Sequence, residues 1–112
     1  MTKTRWGPRK LLRLHGVGYK VQFVNAKTDA DLEYGKLDGI YLPTKRLIKI
    51  DCKAEKDARR EALLHEVLHA ADQATGEKDL DEAVICRLGR FLYGVFLDNP
   101  GLASYIAGDG DP

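Results

Sequence analysis

Two histidines and a glutamate within residues 65–69 form the pattern in this chain with the clearest chemical meaning. His65, Glu66 and His69 make up an H-E-x-x-H sequence. On a helix, residues four apart lie one turn apart on the same face, so the two imidazoles would project side by side. Two neutral imidazoles at that spacing can bind one zinc ion, and Glu66 can reach a water on that ion as general base. The spacing therefore predicts a catalytic zinc site.

The residues around this pattern favour a zinc site over a chance occurrence. Between Ala62 and Ala71, all residues apart from His65, Glu66 and His69 are uncharged. The stretch from Glu55 to Glu61, in contrast, is rich in charge. The alternative is a pair of histidines satisfied within an ordinary core. Burying two histidines and a glutamate without a metal or partners is costly, so we expect a metal.

A catalytic zinc ion needs a third protein ligand and keeps a fourth position for water. The remaining histidine, His15, precedes the first predicted strand. Asp72 and Thr75 stand where a longer three-histidine pattern requires glycine and histidine. The other candidates are carboxylates that follow the H-E-x-x-H segment, namely Asp72, Glu77, Asp79, Asp81 and Glu82.

Glu82 is the predicted third ligand, and Asp81 is the next candidate. Glu82 heads a stripe of the second predicted helix that is expected to face the first helix. The stripe continues through Gly89, Leu92 and Phe96. Asp72 lies one turn beyond His69, where it is better placed to orient an imidazole through a hydrogen bond than to bind the same ion.

Three strands and two helices are expected to position these residues. Alternating or β-branched apolar residues predict strands at 17–24, 36–42 and 46–51, the last two joined by a turn at 43–45. Helical segments follow at 54–75 and 79–97. We therefore predict an α+β fold, with a small antiparallel sheet of about three strands packed on the H-E-x-x-H helix and a second helix.

The bulk properties indicate one small domain over residues 1–112, with 44% hydrophobic and 31% charged residues. We expect a basic, flexible arm at 1–16 and a tail at 102–112. The net charge of +1 disfavours nucleic acid as the main partner. No segment has the apolar length of a signal peptide or a membrane span, and the two cysteines form no C-x-x-C pair. A cytoplasmic protein with free thiols is therefore expected.

The second half of the chain resembles the gluzincin metallopeptidases, in which two histidines of H-E-x-x-H and a glutamate on the following helix hold zinc. The resemblance covers about residues 46–100. It rests on the segments R-L-I-K-I-D, E-A-L-L-H-E-V-L-H-A-A-D and L-D-E-A-V-I-C-R-L. The chain is most similar to the minimal members and to small metallopeptidase-like proteins of phages and prophages. It is more distantly similar to the ImmA/IrrE peptidases.

The resemblance implies a zinc peptidase acting on peptide or protein substrates. Its ligands would be His65, His69 and Glu82, and Glu66 would be its catalytic base. The resemblance also implies that the strand at 46–51 is the sheet edge beside the cleft, onto which an extended peptide can add.

One departure from the family concerns the third ligand. Larger gluzincins carry N-E-x-x-x-D there, whereas this chain has Asp81 in place of the asparagine and Cys86 in place of the aspartate. The hydrogen bonds that support the histidines must therefore differ, and Asp72 is the candidate to supply one.

An alternative of a different class stays open: a zinc-binding regulatory or interaction module, of phage or prophage origin, with little or no peptidase activity. A chain this short offers limited walls for substrate pockets. Glu66 argues against this alternative, because a purely structural zinc site needs neither a general base nor an open coordination position. The residue that would stabilise an oxyanion is not assigned, and Tyr41, Tyr93 and Tyr105 are the candidates.

Overall fold

The computed structural model describes residues 11–14, 16–76 and 80–108, which form one mixed sheet and two long helices. The strands are β1 (Leu11–Leu14), β2 (Val17–Val24), β3 (Gly39–Leu42) and β4 (Leu47–Asp51). The helices are α1 (Lys56–Ala74), α2 (Glu82–Asp98) and the short α3 (Leu102–Ile106). Short 3₁₀ turns lie at Ala26–Thr28, Glu33–Gly35 and Pro43–Lys45. The predicted α+β class is confirmed.

The sheet has four strands in the order β1-β2-β4-β3, which corrects the expected three-stranded antiparallel sheet. β4 lies inside the sheet, parallel to β2 and antiparallel to β3. The connection at residues 25–38 is long enough to carry β3 past one strand position, and the tight turn at Pro43–Lys45 then folds β4 into the gap. The segment at 46–51 is therefore an internal strand, and the prediction that it forms the sheet edge is wrong. The edge beside α1 is β3.

The fourth strand comes from residues that the sequence assigned to the basic arm. Leu11–Leu14 pairs antiparallel with β2, and Leu12 packs against the core. Gly16, with a φ of +79°, makes the tight turn between the two strands, where glycine carries no side-chain strain. Because basic residues surround this short strand, the alternation of its leucines did not predict a strand. The rest of the expected arm, residues 1–10 and His15, lies outside the described residues.

One face of the sheet packs on α1 and forms the core. The packing residues are Val21, Ile48 and Ile50 of the sheet and Ala62, Leu63 and Val67 of α1. Burying a side chain of this size stabilises the fold by about 1.5–3 kcal/mol. Ala62, Leu63 and Val67 lie on α1 among the residues of the H-E-x-x-H segment. Their packing therefore also fixes the directions in which His65, Glu66 and His69 point.

Both long helices agree with their predicted positions to within a few residues. α2 begins at Glu82 because the Asp81 carboxylate accepts a hydrogen bond of 2.9 Å from the Val84 N–H. The predicted start at Asp79 lies outside the described residues. Cys52 and Cys86 are free thiols, as expected. None of the described helices combines the length and apolar character needed to cross a membrane.

The second face of the sheet is fastened to the loop at residues 25–35 by Lys49. Its Nζ lies 2.9 Å from Asp29 Oδ2 and 2.7 Å from Asp31 Oδ2. The hydrogen bond from Lys49 holds the pKa of Asp29 below its ordinary value. The two carboxylates, Asp31 first, raise the pKa of Lys49. These charges hold the loop against the sheet beside the fully buried Leu32.

This ion-pair cluster predicts a specific dependence of stability on pH. Since folding lowers the pKa of Asp29, its contribution is present above the ordinary aspartate pKa and is lost as the pH falls through the lowered value. The Lys49 contribution is present below the ordinary lysine pKa and is lost as the pH rises through the raised value. Lys49→Met is therefore expected to lower stability at neutral pH and to reduce the loss of stability on acidification.

Urea unfolding of wild type and Lys49→Met at acidic and neutral pH measures both effects. Lys53→Met, which changes an exposed lysine, is the control and should follow wild type. Identical acid dependence in wild type and Lys49→Met would show that the cluster contributes nothing to folding.

Candidate metal centre

The two histidines of the H-E-x-x-H pattern lie side by side on α1, as their spacing predicts. The ring centroids of His65 and His69 are 4.9 Å apart. Their Nε2 atoms are 3.2 Å apart and face each other. Both rings are partly buried, so the surrounding residues restrict their orientation.

Glu82, at the first turn of α2, reaches both histidines. Its Oε1 lies 2.8 Å from His65 Nε2 and 2.9 Å from His69 Nε2. α2 approaches α1 closely at the buried Gly89, where a Cβ would lie 3.8 Å from the His65 Cα. Glu82 is two turns before Gly89 on the same helix face, so this close packing brings its carboxylate to the histidines.

These three side chains fit a zinc ion by donor type and by distance. Two imidazole nitrogens and one carboxylate oxygen, all within 4.8 Å of one another, are the ligand set of one class of catalytic zinc site. Ligand atoms around a tetrahedral zinc ion lie about 3.3 Å apart. The observed separations of 2.8–3.2 Å need to open by only a few tenths of an ångström. A cation between the three atoms would satisfy all of them at once.

Two of the other predicted carboxylates make hydrogen bonds to backbone amides where the structure describes them. Asp81 caps α2 through the Val84 N–H. Asp72 Oδ2 accepts a hydrogen bond of 3.3 Å from the Leu80 N–H, which ties the end of α1 to the chain entering α2. Glu77 and Asp79 lie outside the described residues. Among the described candidates, Glu82 is the one that contacts both histidines.

The capping contact separates the roles of the two neighbouring acids experimentally. Asp81→Ala is expected to lower the free energy of unfolding by about 1 kcal/mol, because it removes the N-cap of α2. Asp81→Ser keeps a capping oxygen and should retain both stability and zinc affinity. Urea unfolding and zinc titration of both variants provide the measurement. A loss of zinc affinity in Asp81→Ser at unchanged stability would assign the third ligand to Asp81 instead of Glu82.

Glu66 is the buried polar side chain of the described core, only 8% exposed. Burial raises the pKa of its carboxyl, and the negative charge of Glu82 adds to this effect. The charges of His65 and His69 and the backbone amide of Tyr41 act in the opposite direction without cancelling it. A carboxyl whose pKa is moved toward neutrality can both accept and return a proton.

The opposite shift applies to the Glu82 carboxyl. Burial acts to raise its pKa, but hydrogen bonds and charges from His69 and His65 outweigh that effect, and the pKa is lowered. The side chain is 65% exposed. The two carboxyls are therefore shifted in opposite directions, and the lowered pKa of Glu82 favours the charged form that binds metal ions.

The edge strand β3 turns some of its backbone groups away from the sheet beside Glu66. The Asp51 N–H donates to the Asp38 carbonyl at 2.8 Å, so the alternation of an antiparallel pair turns the backbone groups of Gly39 and Tyr41 away from β4. A Cβ on Gly39 would lie 2.8 Å from Ile50 Cδ1 and 3.4 Å from Glu66 Cγ. Glycine at this position lets the edge strand approach α1 closely.

Three connected recesses form a shallow cleft between β3 and α1. The first, of about 230 Å³, lies between the start of β3 and the first half of α1. The second, of about 330 Å³, passes Glu66 and is lined by His69 and Glu82. The third, of about 290 Å³, lies beyond His69 and includes Tyr41 and Gln73. Neighbouring recesses share lining residues, so the cleft runs along the sheet edge past the cluster of His65, His69 and Glu82.

The cleft also distinguishes the three tyrosines considered for oxyanion stabilisation. Tyr41 lines it, and its hydroxyl donates to Gln73 Oε1. The Tyr93 hydroxyl donates to Asp57 Oδ1 at 2.9 Å, and Tyr105 is half-exposed on α3.

The role of Gly39 beside Glu66 was not predicted from the sequence. The available signal was a glycine in an apolar strand segment, which often marks a close backbone approach.

Searches against protein-family models, curated proteins and solved structures found no match to this chain, so the resemblance to gluzincins stays a prediction from the sequence.

Proposed function

We propose that this chain is a zinc-dependent metallopeptidase of the gluzincin type that hydrolyses peptide bonds. The observation that supports it best is the convergence of His65, His69 and Glu82 beside a buried Glu66 whose pKa is raised. A structural metal site would need the three ligands but would have no use for a proton-transfer group at this position.

The roles of the side chains follow from their positions. His65 Nε2, His69 Nε2 and Glu82 Oε1 would hold the metal. A zinc ion held there would polarise a substrate carbonyl and lower the pKa of water. Glu66 takes the proton from the attacking water as its oxygen bonds to the carbonyl carbon, and passes that proton to the leaving amine as the C–N bond breaks.

The substrate would bind along β3 in an extended conformation. The open backbone groups of Gly39 and the Tyr41 carbonyl can pair with a peptide that adds as a further strand. The Tyr41 N–H donates a hydrogen bond to the Glu66 carboxylate. This hydrogen bond would hold the Glu66 carboxylate beside the bound peptide. β3 thus replaces the strand at 46–51 as the predicted peptide-binding edge.

A peptide-cleavage assay tests the proposal. Protein loaded with one equivalent of zinc and metal-free protein are each incubated with a mixture of unstructured peptides, and the products are identified by mass spectrometry. Cleavage by the zinc-loaded protein alone is the expected result. If zinc binds to the three ligands and no peptide is cut, the zinc-binding regulatory module becomes the better description. If zinc does not bind, both descriptions fail.

A further inference from the structure

α2 is held on the rest of the protein through a limited interface. Among the described elements, α2 packs on α1 and makes no comparable contact with the strands. Its buried residues are Ile85 and Gly89, and the glycine has no side chain to bury. Leu88 and Phe91 of the same helix are exposed. The apolar packing that docks α2 is therefore modest for a helix of 17 residues.

Polar contacts join α2 to α1 at both ends of their interface, and they differ in kind. Near the start of α1, the Tyr93 hydroxyl donates to Asp57 at the exposed surface. Arg90 lies 4.0 Å from Glu61, and an ion pair this long and exposed contributes little. At the other end, the carboxylate of Glu82 lies 2.8–2.9 Å from both histidines of the candidate metal centre.

We propose that zinc at this centre also docks α2, so that in the metal-free chain α2 opens locally while the sheet stays folded. His65 and His69 belong to α1, whereas Glu82 belongs to α2. A metal ion held by all three side chains therefore joins the two helices. This inference rests on the ligand set of the proposed function and does not depend on peptide cleavage.

The size of the effect follows from the reciprocity of coupled equilibria. If docking of the Glu82 carboxylate raises zinc affinity about 100-fold over that of the two histidines alone, saturating zinc must favour the docked helix by the same factor. An undocked α2 is not expected to stay helical, because isolated helices of this length are marginal in water. Gly89 and Gly94 lower its helix propensity further. Undocking therefore exposes the α2 amides to exchange with solvent.

Hydrogen–deuterium exchange followed by mass spectrometry, on the full chain with and without saturating zinc, provides the test. In the metal-free protein, the α2 amides should exchange faster than those of β4, the internal strand whose exchange requires global unfolding. Zinc should slow α2 exchange by about 100-fold. Equal protection of α2 and β4 in the metal-free protein would overturn the inference, because opening would then be global.

Three variants assign the effect to the Glu82 contact. Glu82→Gln should lose most of the zinc-dependent slowing of α2 exchange. Glu61→Gln, which removes the acid paired with Arg90 across the same interface, is the matched control and should keep it. Gly94→Ala places a methyl group in open space. It should slow α2 exchange about fivefold with or without zinc, because alanine is the better helix former.

The outcomes separate this inference from the proposed function. If the zinc-loaded protein cuts peptides but zinc does not change α2 exchange, the inference fails and the peptidase stands. If zinc slows α2 exchange in wild type and not in Glu82→Gln, and no peptide is cut, the inference stands without the peptidase. A full zinc effect in Glu82→Gln overturns the inference, because another contact must then dock the helix.

Discussion

Replacing His65 with alanine is expected to weaken zinc binding by more than about 100-fold. Loss of a hydrogen bond that merely supports a ligand costs about 10- to 100-fold in metal affinity, and this change removes one of three ligands. His69→Ala and Glu82→Gln should have effects of the same order, because all three atoms converge on one point. Competition with a chromophoric chelator measures the affinity of each variant.

The chain offers a matched control for this prediction in its third histidine. His15→Ala removes the remaining imidazole and should leave zinc affinity at the wild-type value. Equal losses in His15→Ala and His65→Ala would indicate weak, distributed binding by imidazoles instead of one site. Wild-type affinity in Glu82→Gln would remove the α2 carboxylate from the site even if both histidines are ligands.

Glu66→Gln is expected to lower kcat/KM for peptide cleavage by about 10²- to 10⁴-fold, the usual contribution of a general base. The amide keeps the volume of the buried side chain and cannot accept the proton from water. Zinc affinity should change little, because the Glu66 carboxylate is not part of the ligand cluster. Steady-state kinetics on the best library peptide, together with zinc titration of the same samples, separates the two effects.

Glu55→Gln, which changes an exposed acid just before α1, is the control for the loss of one negative charge. It should cleave peptides at the wild-type rate. Undiminished activity in Glu66→Gln would exclude this residue as the base. A parallel loss of zinc affinity and activity would show that Glu66 supports the metal site instead of the proton transfer.

The local part of the site could be predicted from the sequence, because it depends on helical periodicity. Residues four apart on a helix share a face whatever the surrounding fold, so the positions of His65 and His69 followed from their spacing alone. Glu82 could be chosen from the apolar stripe that begins with it, since that stripe had to be buried against another element. The structure places all three together.

The strand order could not be predicted, because it depends on contacts between distant segments. Local alternation identifies a strand but does not say which neighbour it pairs with. The resemblance to gluzincins implies an edge position for the segment at 46–51, whereas β4 is flanked by β2 and β3. The consequence for the site is direct, since the edge strand provides both Gly39 and the Tyr41 amide beside Glu66.

Anomalous X-ray diffraction at the zinc edge from zinc-soaked crystals tests directly whether His65, His69 and Glu82 bind one zinc ion. We expect a single strong anomalous peak about 2.0–2.2 Å from His65 Nε2, His69 Nε2 and a Glu82 carboxylate oxygen. A peak elsewhere on the protein, or no peak at these three atoms under saturating zinc, would contradict it.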